Sequence, residues 1–141
     1  MKNSKLHTIK QYKNFFFGKT VIVTGHNGFK GSWLSYVLWL FGAKVIGISS
    51  YELGHNSNYK VLNIPNEVSL LDNYLKYSKP KLIVLTGGGN VKSNYLAKDD
   101  FDENREQVEE RLIDHCIKND ISIIGVCRGM QKILSLSLIH I

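Results

Sequence analysis

Residues 20–31, with the sequence TVIVTGHNGFKG, decide the fold of this chain. Five β-branched residues in a row, closed by a glycine-rich turn, are typical of a strand buried on both faces of a parallel sheet. Apolar residues then recur at helical spacing over 29–41, and Gly42 stands where a helix commonly ends. A second β-branched stretch covers 44–49, so the pattern predicts a right-handed βαβ unit.

Length and composition limit the class of protein. The chain has 141 residues, 43% of them hydrophobic and 21% charged, which indicates about one globular domain rather than a disordered chain. Two cysteines do not make a disulfide framework, so we expect a cytoplasmic protein. No apolar run approaches the roughly 18 residues of a spanning helix, and no signal peptide is predicted.

Charge is distributed unevenly along the chain. The net charge is +6, and residues 1–50 contain seven lysines but no Asp or Glu, whereas all 12 acids lie in residues 51–141. The lysines are scattered singly without an arginine cluster, so we expect neither a nucleic-acid partner nor a membrane partner. The asymmetry indicates two segments of different origin, 1–50 and 51–141, joined near residue 50.

Strand and helix patterns alternate through the rest of the chain. Further strands are predicted at 61–64, 82–85 and 121–126, and further helices at 67–77, at 102–119 and from 127 onward. This alternation predicts an α/β fold, with an incomplete Rossmann-like or flavodoxin-like parallel sheet flanked by helices and shared by both segments. Residues 1–18 are predicted to be a flexible lead-in whose aromatic side chains pack under the first strand.

The glycine-rich turn is a candidate cofactor site. In a dinucleotide-binding loop, Gly25 permits the tight turn, Gly28 lets the backbone approach a pyrophosphate, and Gly31 allows close helix packing. The backbone N–H groups around Asn27, Gly28 and Phe29, at the start of the helix, then meet the phosphates. The alternative is a tight strand-to-helix turn that binds nothing.

The wider string at 18–49, GKTVIVTGHNGFKGSWLSYVLWLFGAKVIGIS, resembles the N-terminus of extended short-chain dehydrogenases. Within that family it looks most like the CDP-glucose 4,6-dehydratases, and the resemblance covers about residues 15–50. It implies a half-site for NAD. The family places an acid after the second strand to hold the adenosine ribose, but here Ser49 and Ser50 occupy that place, so we expect weak NAD binding.

The catalytic pair of that family, Tyr-x-x-x-Lys, has a spacing match in this chain at Tyr77 and Lys81. Pro80 lies between them and ends any helix that contains Tyr77. We therefore expect that the two side chains do not act together.

A second candidate site lies at residues 123–131, with the sequence IIGVCRGMQ. A strand, a G-x-C-x-G turn and a helix start together indicate a nucleophile elbow centred on Cys127. The glycines relieve crowding at such a turn, and the helix N-terminus favours the thiolate. We expect the backbone N–H groups of Gly88 and Arg128 to form an oxyanion hole, and no metal site is predicted. The alternative is a cysteine that is merely small and buried, which is our interpretation of Cys116.

Residues 51–133 resemble the class I glutamine amidotransferase superfamily, and most of all its γ-glutamyl hydrolase branch. The resemblance is carried by LTGGGNV at 85–91, NRE at 104–106 and GVCRGMQ at 125–131. It implies hydrolysis of a small-molecule γ-glutamyl amide through a thioester on Cys127. The histidine and acid of the family lie far downstream of the cysteine, on a segment that this sequence does not contain, so we expect no hydrolysis by the chain as given.

Three interpretations therefore stay open. The first is a γ-glutamyl hydrolase fragment that is inactive as given. The second is a fragment of an NAD-dependent dehydratase that acts on a sugar nucleotide. The amidotransferase and dehydratase resemblances are both compatible with surface-polysaccharide biosynthesis. The third is a truncated hybrid without catalytic activity.

Overall fold

The computed structural model describes residues 2–49, 61–62, 68–89, 91 and 102–137. Their helices and strands are, in chain order, α1 (Lys2–Phe16), β1 (Thr20–Thr24), α2 (Phe29–Leu40), β2 (Lys44–Ile48), β3 (Val61–Leu62), α3 (Val68–Ser78), β4 (Leu82–Leu85), α4 (Glu103–Asn119), β5 (Ser122–Gly125) and α5 (Arg128–Ser137).

The strands form one open parallel sheet in the order β3-β2-β1-β4-β5. This is the strand order of the first five strands of a Rossmann sheet rather than the flavodoxin order. Strand β1 pairs on one side with β2 and on the other with β4, with Val21 opposite Leu82. The prediction of one continuous sheet across residues 1–50 and 51–141 is therefore confirmed.

Each face of the sheet carries its own hydrophobic cluster, because successive strand residues point to opposite faces. On one face Ile22, Ile83 and Leu85 pack with residues of α3 and α4, including Leu71 and Leu112. The opposite face brings Val21, Val23, Leu82 and Val84 against Leu38 of α2. Both faces of β1 and β4 are buried, as the continuous apolar runs predict.

The ends of α4 follow local rules. Asp102 precedes the helix in an extended conformation, and its carboxylate accepts a hydrogen bond from the backbone N–H of Arg105 at 3.0 Å. Asp120 ends the helix in the left-handed conformation, with φ +52°, and its N–H donates to the carbonyl of Cys116. Cys116 itself is buried in the core, as expected.

The N-terminal region differs from its prediction. Residues 2–16 form the helix α1 instead of a flexible lead-in, because they contain no Gly or Pro and their last turn finds a tertiary partner. Phe16 packs against the cluster below β1 and stacks on Phe41, with ring centroids 6.2 Å apart, whereas Phe15 and Phe17 stay exposed. The predicted packing of aromatics under β1 thus holds for Phe16 alone.

Other described boundaries shift by one residue. Helix α3 continues one residue beyond its predicted end, to Ser78, and β5 is shorter than predicted by a residue at each end. The junction near residue 50 and the far ends of β3 and of the C-terminal tail lie outside the described residues. No helix within the described ranges is both long and apolar enough to span a bilayer.

Candidate functional site

Three turns that follow parallel strands meet at the carboxyl edge of the sheet. The first follows β1 and contains Gly25, the second follows β4 at Thr86, and the third follows β5 at Cys127. Strand order reverses between β1 and β4, and such a reversal opens the crevice in which α/β folds bind ligands. Both predicted sites therefore border the same crevice.

The turn after β1 has the geometry that its glycines predict. Gly25 has φ +60°, and its N–H donates to the carbonyl of Ile48 at 2.7 Å, which holds the turn against β2. A Cβ on Gly31 would overlap the carbonyl oxygen of Gly25, so only glycine lets α2 approach this closely. Gly28 is exposed, and a Cβ there would lie 3.3 Å from the same oxygen.

The start of α2 is open to an anion. Gly28 precedes the helix in an extended conformation and supplies no side-chain cap to the first-turn N–H groups. Asn27 is half-buried, and Phe29 is exposed. Uncapped N–H groups next to a glycine turn suit a phosphate, so the loop fits the pyrophosphate of a dinucleotide. Ser49 is the last described residue after β2, and no carboxylate there matches the ribose-binding acid of the dehydrogenases.

His26 fixes the loop to the sheet. Its side chain is buried, and a Cβ on Gly47 of β2 would overlap its ring. Burial lowers the pKa of His26 from the usual 6.5, and a hydrogen bond with the backbone of Ile48 opposes that shift. His26 therefore fills space between the loop and β2.

Thr86 joins the first turn to the second. Its hydroxyl donates to the carbonyl of Thr24 at 2.6 Å, and its N–H donates to the hydroxyl of Thr24 at 3.1 Å. A Cβ on Gly25 would lie 2.6 Å from the Thr86 hydroxyl. The glycine loop and the β4 turn are thus in direct contact.

The turn after β5 is a sharp elbow. Cys127 is exposed and has φ +55°, a left-handed conformation that non-glycine residues adopt uncommonly. Its carbonyl accepts hydrogen bonds from the N–H groups of Met130 at 3.0 Å and Gln131 at 3.2 Å, which begin α5. A Cβ on Gly129 would overlap the carbonyl of Leu85, and one on Gly125 would lie 2.6 Å from the N atom of Met130. Close backbone approach therefore explains both glycines.

The β4 turn lies directly beside the thiol. A Cβ on Gly87 would be 3.1 Å from the Cβ of Cys127 and 3.5 Å from its Sγ. Gly88 and Gly89 follow in left-handed conformations, with φ +101° and +70°. The structure thus places Gly88 on the turn that borders the thiol of Cys127. The assignment of oxyanion-stabilising N–H groups at Gly88 and Arg128 stays a prediction.

Arg105 holds the β4 turn in place. Its guanidinium donates to three successive carbonyl groups, those of Thr86 at 3.1 Å, Gly87 at 3.2 Å and Gly88 at 2.6 Å. In a planar trans peptide the N–H points opposite to the C=O, so the next three N–H groups, from Gly87 to Gly89, point away from Arg105. A run of N–H groups that is oriented in this way is suited to an anion.

We call the three hydrogen bonds from Arg105 to the β4 turn the clamp. The sequence analysis did not predict it and used Arg105 only as part of a family resemblance. No local pattern links Arg105 to the β4 turn 17 to 19 residues earlier in the chain. An arginine in the first turn of a helix, where acids are preferred, is the only signal that was present.

A largely buried ionic network connects the elbow and α5 to α4. Arg128 pairs with Glu106 and Glu109, and its side chain is 2% exposed. Lys132 pairs with Glu106 and with Glu110, the latter at 2.6 Å, and Arg105 pairs with Glu109 at 2.9 Å. Three cations thus meet three carboxylates. The side chain of Arg128, whose backbone N–H was the predicted functional group, links the elbow to α4.

Tyr77 and Lys81 do not form a pair, as expected. Tyr77 is exposed near the end of α3, and Lys81 follows Pro80 outside the helix. The N–H of Lys81 donates to the carbonyl of Thr20 at 2.9 Å, at the amino edge of the sheet. Both residues are therefore remote from the three turns.

Comparison with known families and proteins matches each segment separately. A family model described as Peptidase C26, which is class I glutamine amidotransferase-like, matches residues 45–136. The match begins inside β2 and includes the clamp, the ionic network and the elbow. It therefore covers more than half of the chain.

The other similarities concern dehydrogenase-type proteins. The chain is 66% identical over 35 residues to the CDP-glucose 4,6-dehydratase of Salmonella typhimurium, which is 25% of this chain and 10% of that protein. The chain thus spans about a tenth of the length of this curated relative.

Two solved structures share the fold. A short-chain dehydrogenase from Leptospira borgpetersenii with bound NAD+ superposes with TM-score 0.55 at 18% identity, over 81% of this chain and 53% of that one. The UDP-N-acetylglucosamine 4-epimerase from Bacillus cereus gives TM-score 0.54 at 21% identity, over 77% and 35%. At this identity the likeness shows the Rossmann-type fold alone.

Proposed function

The chain belongs to the Peptidase C26 family, and on that premise we propose that Cys127 is the nucleophile of a glutamine amidotransferase-like γ-glutamyl hydrolase site. One observation carries the proposal: Cys127 occupies a left-handed elbow directly beside a glycine turn in which Arg105 holds three successive carbonyl groups. The substrate would be a small molecule with a γ-glutamyl amide.

The chemistry follows from this placement. The Cys127 thiolate attacks the γ-carbonyl carbon, a C–S bond forms, and the carbonyl electron pair moves to oxygen as an oxyanion. The N–H groups of Gly88 and Arg128 are the proposed donors to that oxyanion. The amine then leaves with a proton as the C–N bond breaks, and water hydrolyses the thioester to release glutamate and free thiol.

We propose that proton transfer limits this reaction in the chain of 141 residues. No Asp or Glu follows Cys127 in the sequence, and the single histidine after it, His140, lies outside the described residues. General acid–base catalysis contributes roughly 10²–10⁴-fold. We therefore propose that the chain acylates on an activated ester but does not turn over an amide.

An activated ester tests the acylation step. The γ-(4-nitrophenyl) ester of N-acetylglutamate releases nitrophenolate without needing a proton, so we expect a burst of about one equivalent per chain followed by a stall. Mass spectrometry should locate the acyl group on Cys127, and Cys127→Ala should abolish the burst. The matched control is Cys116→Ala, which should retain it because Cys116 is buried in the core. A missing burst, or one that survives Cys127→Ala, would reject the proposal.

Arg105→Ala tests the role of the clamp in the same assay. Removing the guanidinium frees three carbonyl groups, so the N–H groups of the β4 turn lose their fixed direction. Loss of one oxyanion donor typically costs about 10²–10³ in rate, and we expect the burst rate to fall by at least tenfold. The amplitude should stay near one equivalent, and an unchanged rate would show that the turn does not act on the oxyanion.

We propose NAD binding as a second, weaker function of the glycine loop. The 35-residue similarity to a dehydratase and the uncapped start of α2 support it, as does the excess of lysine in residues 1–50. Isothermal calorimetry should detect millimolar NAD binding that is lost in Gly28→Val, whose side chain would block the approach of a phosphate. The absence of heat for the unmodified chain would end this proposal. In the dehydratase interpretation, the substrate would be a sugar nucleotide.

The origin and location of the chain belong to the same proposal. The family match starts at residue 45, which supports a boundary near residue 50 between a dehydratase-type segment, 1–50, and an amidotransferase-type segment, 51–141. An exposed, free Cys127 functions as a nucleophile in a reducing compartment, so we propose a cytoplasmic protein. If both assays fail, the non-catalytic hybrid is the interpretation that is left.

A further inference from the structure

Helix α2 presents large apolar side chains to solvent. Phe29 is 81% exposed, Trp33 61%, Trp39 60% and Leu40 47%, and three of these four are aromatic. The face toward the sheet is instead made of Gly31 and Ser35, whose small side chains allow close packing, and of Leu38, which belongs to the core. A helix that is apolar on both sides is typical of a buried or membrane-contacting position, not of a water-exposed one.

The apolar surface continues onto α1. Tyr12 of α1 stacks on Phe41 just after α2, with ring centroids 6.0 Å apart, and Tyr36 stacks on Trp39 at the same distance. The first contact joins α1 to the end of α2, and the second lies within α2. We define the aromatic face as Phe29, Trp33, Tyr36, Trp39 and Leu40 of α2 together with Tyr12 of α1.

The two helices that carry the aromatic face contain basic residues and no acidic ones. Residues 1–50, which contain both helices, hold seven lysines and no acid. Helix α1 carries Lys10 and Lys13 among its lysines, and helix α2 carries Lys30. The charged side chains of the two helices that form the aromatic face are therefore all positive.

Exposed aromatic side chains together with lysines indicate which partner the aromatic face binds. A second copy that docked face to face by two-fold symmetry would place lysines opposite lysines without a compensating acid. An anionic bilayer supplies negative charge for the lysines and an interfacial zone in which Trp and Tyr side chains are favoured. No helix of the described residues spans a bilayer, so the contact would be peripheral.

We propose that the aromatic face binds the headgroup region of an anionic lipid bilayer. The sequence-based expectation of no membrane partner rests on the scattered lysines of residues 1–50 and the lack of an arginine cluster. This proposal does not depend on the chemistry of Cys127.

Intrinsic fluorescence provides a direct test, because both tryptophans of the chain lie on the aromatic face. Vesicles of phosphatidylcholine with one third phosphatidylglycerol should shift the emission to shorter wavelength and sediment the protein. Pure phosphatidylcholine vesicles should bind at least tenfold less, and 0.5 M salt should weaken binding to the anionic vesicles. Equal binding to both lipids, or no binding to either, would overturn the proposal.

Surface variants locate the contact. Phe29→Ser combined with Trp33→Ser changes only exposed side chains, so the fold should persist by circular dichroism while vesicle affinity falls at least tenfold. Tyr77→Ser, which removes an 83% exposed aromatic on α3, is the matched control and should bind as the unmodified chain does. Retained affinity in the double variant would overturn the proposal. Sedimentation equilibrium without lipid gives a second check. A dimer of the unmodified chain that is absent in the double variant would also overturn the proposal, since a second copy would then cover the aromatic face.

Discussion

The turns after β1 and β5 look alike in sequence but are held in different ways. Each follows a strand, contains closely spaced glycines and begins a helix, α2 or α5. The β1 turn is held by backbone contacts, between Gly31 and Gly25 and between Gly25 and Ile48, and by the buried side chain of His26, which belongs to the turn itself. The β5 turn is anchored in addition by a buried ionic network that reaches α4 through Arg128. Two turns with similar local sequence patterns are thus stabilised by different tertiary contacts.

This difference matters for robustness. A backbone close approach fails only when a side chain is added, whereas a buried ion pair fails whenever one partner is removed and the other charge is left uncompensated. The elbow of Cys127 should therefore be the more sensitive of the two turns to loss of side chains on a distant helix.

The largest effect is expected for Glu109→Ala. Its carboxylate is paired with both Arg105 and Arg128, and removal leaves a buried guanidinium without this partner. We expect the free energy of unfolding in urea to fall by about 3–5 kcal/mol. Asp72→Ala, which removes the exposed partner of Arg111, is the matched control and should cost at most about 1 kcal/mol. Similar losses for the two variants would mean that the network does not support the elbow.

Adding a methyl group to either turn should have the next largest effect. Gly31→Ala and Gly129→Ala each place a Cβ onto a backbone carbonyl, and we expect each to lower the free energy of unfolding by about 1–3 kcal/mol. Gly28→Ala, whose Cβ would lie 3.3 Å from the carbonyl oxygen of Gly25, should cost less than either. Thermal or urea unfolding compares the three, and the opposite ranking would contradict the close approaches.

The two cysteines should differ by at least tenfold in their rate of alkylation by iodoacetamide at pH 7. Burial raises the pKa of the Cys116 thiol to about 11 and also limits access, whereas Cys127 is exposed on the elbow. Peptide mass spectrometry resolves the two sites. Equal rates would indicate that the elbow or the core around Cys116 has not formed.

The smallest expected effect is a pH dependence of the free energy of unfolding that comes from His26 in the β1 turn. The pKa of His26 is lowered in the folded state, so the unfolded chain binds more protons below 6.5 and the free energy of unfolding falls as pH drops through that value. His26→Phe should flatten this dependence between pH 7.5 and 5, whereas His115→Phe on α4 should leave it in place. An unchanged pH profile in His26→Phe would rule out this source.

Much of the sheet and of both turns could be predicted from local sequence. The runs at 20–24 and 82–85 are strands because they are β-branched or aliphatic throughout, and Gly25 and Cys127 lie on turns because glycines punctuate the pattern at fixed spacing. Periodicity also placed Cys116 on the buried side of α4. These features depend on neighbours within a few residues.

The exceptions share one physical reason. Glu106 and Glu109 look like solvent-exposed acids in the first half of α4, yet both are buried, because Arg128 and Lys132 reach them from a helix about 20 residues away. Helix α1 was not predicted, since the packing of Phe16 on Phe41 joins residues 25 positions apart. Short-range sterics between neighbouring residues set the strands, the glycine turns and the position of the thiol. Contacts between residues that are distant in the chain set which charges are buried, what holds the β4 turn and where the aromatic face lies, and a local pattern does not contain them.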